Sequence, residues 1–149
     1  MYMRKQFAKS DIKSFIEAVP FAKDLMTKKS SVVQEGDLLY VDKILISILK
    51  DNLWFPSLKI LLKEPTLLPH VVVDKGAIKF VVNGADIMRP GITSAQEFAK
   101  DDFVCIVDET YSEPLAVGQA LFSSSDLLAK DSGKVVKTLH FIGDPYWNV

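Results

Sequence analysis

Cysteine is almost missing from this chain. The single residue, Cys105, excludes an internal disulfide framework and any cysteine-rich zinc site. Histidine is scarce as well. His70 and His140 stand apart, with no His-x-x-x-His or His-x-Glu spacing that would chelate a metal, so neither metal nor cofactor is expected. No G-x-S-x-G elbow and no phosphate-binding P-loop occurs. Long apolar runs are missing too: the longest, Ile44-Leu45-Ile46-Ser47-Ile48-Leu49, falls far short of the about 20 residues that a helical membrane span needs. The opening Met1-Tyr2-Met3-Arg4-Lys5-Gln6 carries charge but no apolar stretch behind it, so no secretory signal is expected. With seven glycines and seven prolines there is no low-complexity bias either. These absences predict a soluble, cytoplasmic protein.

What is present suits an ordered fold. Hydrophobic residues make up 48% and charged residues 25%, a globular balance rather than a disordered one. A chain of 149 residues can bury roughly 70% of its unfolded surface, enough for one or two small domains. The net charge of −1 hides an asymmetry. Residues 1–69 hold eleven Lys/Arg against eight Asp/Glu, a balance of +3, while residues 70–149 hold seven against eleven, a balance of −4. Two modules are expected, divided at Pro69-His70.

In the first half, Ser10 reads as an N-cap before Ile12, Phe15, Ile16 and Val19, one apolar face of a short helix ended by Pro20. Lys13 stands where an acid would complete a capping box. Val32-Val33, Leu38 to Val41 and Ile44 to Leu49 read as strands separated by the turns Gly36-Asp37 and Asp42-Lys43. Trp54-Phe55-Pro56-Ser57 reads as the opening of a short helix bearing Leu58, Leu61 and Leu62. The basic residues Arg4, Lys5, Lys9, Lys13, Lys23, Lys28 and Lys29 read mainly as a solvated helix face.

The second half is richer in turn signals. Val71-Val72-Val73 reads as a buried strand, Asp74 as the cap of a helix starting at Lys75, and Asn83-Gly84 as its stop. Arg89-Pro90-Gly91 is a tight turn bearing a cation. Phe103 to Val107, Leu115 to Gly118 and Val135 to Ile142 read as strands, with a short helical turn from Ser123 to Lys130. Many short strands with glycines at the corners suggest a small barrel or sandwich.

Four ordered motifs in this half carry a resemblance. They are Val73-Asp74-Lys75-Gly76-Ala77-Ile78-Lys79-Phe80, Gly84-Ala85-Asp86-Ile87-Met88-Arg89-Pro90-Gly91-Ile92, Pro114-Leu115-Ala116-Val117-Gly118 and Gly143-Asp144-Pro145-Tyr146-Trp147. Together they resemble the PUA domain of pseudouridine synthases and archaeosine transglycosylases. In the first half, Phe55-Pro56-Ser57-Leu58-Lys59-Ile60-Leu61 and Leu67-Leu68-Pro69-His70 resemble the pre-PUA segment of the malignant T-cell amplified sequence family, in an archaeal-type compact form. The resemblance implies an α+β chain: an N-terminal α/β pre-PUA domain over 1–69, then a PUA pseudobarrel of short mixed strands with two short helices over 70–149.

It also implies structured RNA as ligand, tRNA or ribosomal RNA, and a role on the small ribosomal subunit in initiation, reinitiation or recycling. A density-regulated-protein-type translation factor is the implied protein partner; DNA and membrane are not expected. Carried over, the RNA surface comprises Lys75, Gly76, Ala77, Lys79, Asn83, Gly84, Ala85, Met88, Arg89, Pro90 and Gly91. The chemistry fits. Glycines admit a phosphate or sugar close to the backbone, and N–H groups at a helix start attract anions. Lys75, Lys79 and Arg89 neutralise phosphates, while Asn83 reads a base edge or a 2′-hydroxyl. Gly84 and Gly91 are equally well explained as turn residues. Tyr146 and Trp147 offer stacking surfaces, though Trp147 suits a plug at the barrel end.

An enzyme is not expected. Cys105 lies mid-strand between Val104 and Ile106, and Asp101-Asp102 and Asp108-Glu109 flank strands as loop carboxylates. Two other functions remain open at this point: a detached recognition module for a tRNA- or rRNA-modifying enzyme, and a small-molecule enzyme using the pseudobarrel cleft.

Overall fold

The computed structural model describes residues 3–149. Packing divides the chain into two compact units, one running up to Ile60 and the other Leu61–Val149, ahead of the Pro69-His70 junction.

The first unit is an antiparallel sheet in the order β1-β2-β3-β4-β5, built from Arg4–Gln6 (β1), Val32–Glu35 (β2), Leu38–Val41 (β3), Ile44–Lys50 (β4) and Leu53–Pro56 (β5). Between β1 and β2 lies the helix Lys9–Ala18 (α1), followed by the 3-10 turn Pro20–Asp24. Val32, Leu39, Phe55 and the consecutive run Leu45 to Ile48 are buried in the sheet, and Ile12 and Phe15 of α1 are buried too. The Phe15 ring meets Trp54 edge-on at 5.3 Å and Phe7 at 6.2 Å, so Trp54 serves packing inside this unit.

Three local expectations are corrected here. The α1 helix starts before Ser10: its cap is Ala8, whose N–H donates to Asp11 Oδ2 at 2.9 Å. Trp54 and Phe55 lie in a strand, because Asp51 and Asn52 turn the chain with φ of 51° and 63° and pair β5 onto β4. The helix Leu58–Lys63 (α2) begins only after Ser57, whose Oγ accepts from Ile60 N–H at 3.3 Å. Finally, Arg4 and Lys5 belong to an edge strand rather than a helix face, where Arg4 pairs with Glu35 at 3.6 Å and Lys5 with Asp11 at 3.3 Å.

The second unit holds a six-stranded mixed sheet in the order β7-β11-β10-β9-β6-β8. Its strands are His70–Val73 (β6), Ile87–Met88 (β7), Ile92–Ala95 (β8), Phe103–Asp108 (β9), Pro114–Ala120 (β10) and Lys134–Phe141 (β11). Among the six, β6 and β9 run parallel, with His70 opposite Cys105. Gly118 marks a bulge where β10 meets β11, and a Cβ there would overlap Val136. Two short helices, Ile78–Val81 (α3) and Ser124–Leu128 (α4), complete the unit, and Val71, Val73, Ile106, Ala116, Leu127 and Val136 anchor its core. The fold is thus α+β. No helix among the described residues is long and apolar enough to cross a membrane.

Candidate nucleic-acid interface

Between β6 and β8 the chain folds over itself twice. Asp74 ends the strand with extended backbone, and its Oδ1 accepts from Ala77 N–H at 2.8 Å, which starts the 3-10 turn Lys75–Ala77 that runs into α3. After α3, Gly84 reverses the chain at φ +86°, a conformation that favours glycine. A second 3-10 turn, Arg89–Gly91, returns it to β8. Asp74 N–H donates to Gly91 O at 2.9 Å, so the two turns face each other across a groove of about 860 Å³.

Gly76, Ala77, Ala85, Met88, Pro90 and Gly91, six of the residues expected from the resemblance to contact RNA, line that groove. Phe80, Val81, Ile87, Asp74, Asp86 and Lys134 line it too. Its surface is mostly apolar, and two large side chains stand open to solvent on it: Phe80 is 58% exposed and Met88 51%. Neither was singled out for stacking from sequence, and Lys134 arrives from β11, where its ammonium pairs with Asp86 at 3.4 Å.

The other expected residues divide by what they touch. Lys75 and Lys79 are exposed, and among the described residues no carboxylate pairs with either ammonium; Lys79 Nζ lies 5.1 Å from the Phe80 ring centroid. Gly76 is open: a Cβ there would meet only Asp74 Oδ1, at 3.4 Å. Asn83 is exposed and caps the end of α3, donating from Nδ2 to Lys79 O at 2.8 Å. Gly84 is fixed by packing, since a Cβ would come within 2.7 Å of the Phe141 ring. Arg89 is built into the frame. Its Nη1 donates to Ile92 O at 3.1 Å and its Nη2 to Leu128 O at 3.3 Å, closing the last turn of α4.

Two N–H groups at the helix start, where an anion is expected, are engaged by the chain's own carboxylates. Besides the Ala77 N–H held by Asp74, Lys75 N–H donates to Glu109 Oε1 at 3.1 Å. The chain's own carboxylates occupy donors that a phosphate would use. Lys134 is the cation that lines the groove, paired with Asp86, while the exposed Lys75 and Lys79 flank the lining residues Gly76, Ala77 and Phe80 along the chain.

Residues 69–142 match the model of the PUA domain. The chain is 41% identical over 145 residues to an uncharacterized protein of Methanocaldococcus jannaschii, covering 94% of this chain and 88% of that one. It is 34% identical to malignant T-cell-amplified sequence 1 of Rattus norvegicus, over 87% of this chain and 77% of that protein. The chain belongs to the malignant T-cell-amplified sequence family. A further relative, translation machinery-associated protein 20 of Saccharomyces cerevisiae, is 36% identical over 76% of this chain, and the match spans 63% of the yeast protein. Among solved structures, a hypothetical protein of Pyrococcus horikoshii superposes with a TM-score of 0.83 at 32% identity, over 98% of both chains.

In this member of the malignant T-cell-amplified sequence family, the side chains best suited to chemistry are committed elsewhere. Cys105 is fully buried, and burial pushes its thiol up to about 12. His70 donates from Nε2 to Pro65 O at 2.6 Å. His140 is buried against Asp144, with 2.7 Å between Nδ1 and Oδ2. Asp144 also accepts from Phe141 N–H and Trp147 N–H, both at 2.9 Å, so the pair folds the C-terminal turn onto β11. Tyr146 meets the His140 ring edge-on at 5.9 Å, and Trp147 is half-buried. Among the described residues, no group of three or more His, Cys, Asp or Glu is arranged to hold a metal.

Proposed function

We propose that this chain is a non-catalytic RNA-binding protein of the cytoplasmic translation apparatus. It contacts tRNA or small-subunit ribosomal RNA during initiation, reinitiation or recycling, alongside a density-regulated-protein-type factor. Residues 70–149 are the recognition module and residues 1–69 its companion. One observation carries this reading: an apolar groove bearing exposed Phe80 and Met88, with the unpaired cations Lys75 and Lys79 beside it, within the segment that matches the PUA domain. Open aromatic and thioether surface suits nucleobases, while two exposed ammonium groups suit the phosphates that join them. Kinship with translation machinery-associated protein 20 supports the same setting.

The footprint is small. Two phosphates neutralised give a salt slope of only about −1.4 to −1.8, so shape and a larger assembly must supply the rest of the affinity. Ultraviolet crosslinking in cells tests the proposal: tRNA or small-subunit ribosomal RNA is expected on the protein. Recovery of neither, or co-purification with an RNA-modifying enzyme in place of ribosomes, would overturn it.

A further inference from the structure

The loop between β9 and β10 carries a tyrosine that no part of the groove accounts for. Tyr111 is 80% exposed. A solvent-facing tyrosine on a slack loop would call for no explanation, but this loop is held from several sides. The buried Asp108 carboxylate accepts from Tyr111 N–H at 2.8 Å, Glu113 N–H at 2.7 Å and Thr110 N–H at 3.1 Å. Those bonds, the one from Tyr111 foremost, hold its carboxyl below the usual carboxylate range. Ser112 adopts φ 54°, and its N–H donates to Asp108 O at 3.1 Å.

The same loop is fastened to the groove. Glu109 N–H donates to Val73 O at 3.1 Å, and Glu109 Oε1 accepts from Lys75 N–H, so the loop is clamped to the segment bearing the groove residues Asp74 and Gly76. Its charge is acidic, with Glu109 and Glu113 exposed on either side of Tyr111. Such a loop repels phosphates, leaving the aromatic face as its means of contact with RNA. A backbone held in this way spares part of the ordering entropy that a slack loop would lose on stacking.

We propose that Tyr111 is a stacking platform for an unpaired base of the RNA, at the Lys75 end of the groove. This rests on the RNA-binding reading of the groove. The test measures affinity for a labelled tRNA pool and for refolded small-subunit ribosomal RNA across a range of salt, using wild type, Tyr111→Ala, Tyr111→Phe and the Lys75→Gln/Lys79→Gln double variant. Tyr111→Ala is expected to weaken binding by about 5- to 150-fold, the span of base–aromatic stacking, with the salt slope and Tm unchanged. Tyr111→Phe retains wild-type affinity. If Tyr111→Ala binds as wild type does while the lysine variant binds weakly with a flatter slope, the stacking role is overturned and the groove reading stands. A changed slope in Tyr111→Ala also overturns it, because the contact would then be electrostatic. Failure of the wild type to bind either RNA overturns both.

Discussion

Two neighbouring stretches, residues 75–80 and 83–91, both contribute to the same groove and contain the same kinds of residue: Gly76 with Lys75 and Lys79 in the first, Gly84 and Gly91 with Arg89 in the second. Their surroundings differ. In the first, Gly76 has open space where a side chain would be, and Lys75 and Lys79 extend into solvent. In the second, Gly84 sits against the Phe141 ring, Asn83 is bonded to Lys79 O, and Arg89 holds the carbonyls of Ile92 and Leu128. The first stretch leaves a glycine and two cations open to solvent, whereas in the second Gly84 and Arg89 are held as frame while Met88, Pro90 and Gly91 line the groove. Residue type alone does not distinguish a contact from a support; the neighbour does.

The contrast can be broken by substitution. The largest effect is expected from Gly84→Ala, which combines a side chain in the left-handed region with a 2.7 Å approach to Phe141. The loss is about 2–4 kcal/mol, or a Tm lowered by about 10–20 °C in a thermal melt followed by circular dichroism. Next comes Arg89→Ala. It strands two carbonyl oxygens and costs about 1–3 kcal/mol of stability, while the salt slope of RNA binding stays at the wild-type value. A flattened slope with unchanged Tm would move Arg89 from the frame to the contact surface. The smallest effect on the fold is expected from Gly76→Ala: stability within about 0.5 kcal/mol of wild type, with RNA affinity down about fivefold where the methyl meets the ligand.

Much of this arrangement is legible in the sequence. Asp74 as a cap, Gly84 as a left-handed stop and the β9 and β10 strands follow from local chemistry, and local chemistry is what produces them. The strand β1 is silent because all three of its residues are exposed, leaving no apolar alternation to read. β5 is misread because a two-residue turn at Asp51-Asn52 is compatible with either a helix or a strand after it. At the site, the groove-lining segments are visible as a motif, but the roles are not. Arg89 finds its acceptor 39 residues away at Leu128, Lys134 reaches Asp86 from another strand, and Glu109 reaches Lys75 across 34 residues. Such pairings depend on how the sheet brings distant strands together, and spacing along the chain does not encode them.

The central claim is that RNA is held at this groove, with charge supplied by Lys75 and Lys79. The most direct measurement is the salt dependence of binding to tRNA or small-subunit ribosomal RNA, for wild type and for Lys75→Gln/Lys79→Gln. The account predicts that the slope of log affinity against log salt becomes shallower by about 1.4–1.8 in the double variant, with Tm unchanged. A slope identical to wild type would contradict it and place the RNA on another face.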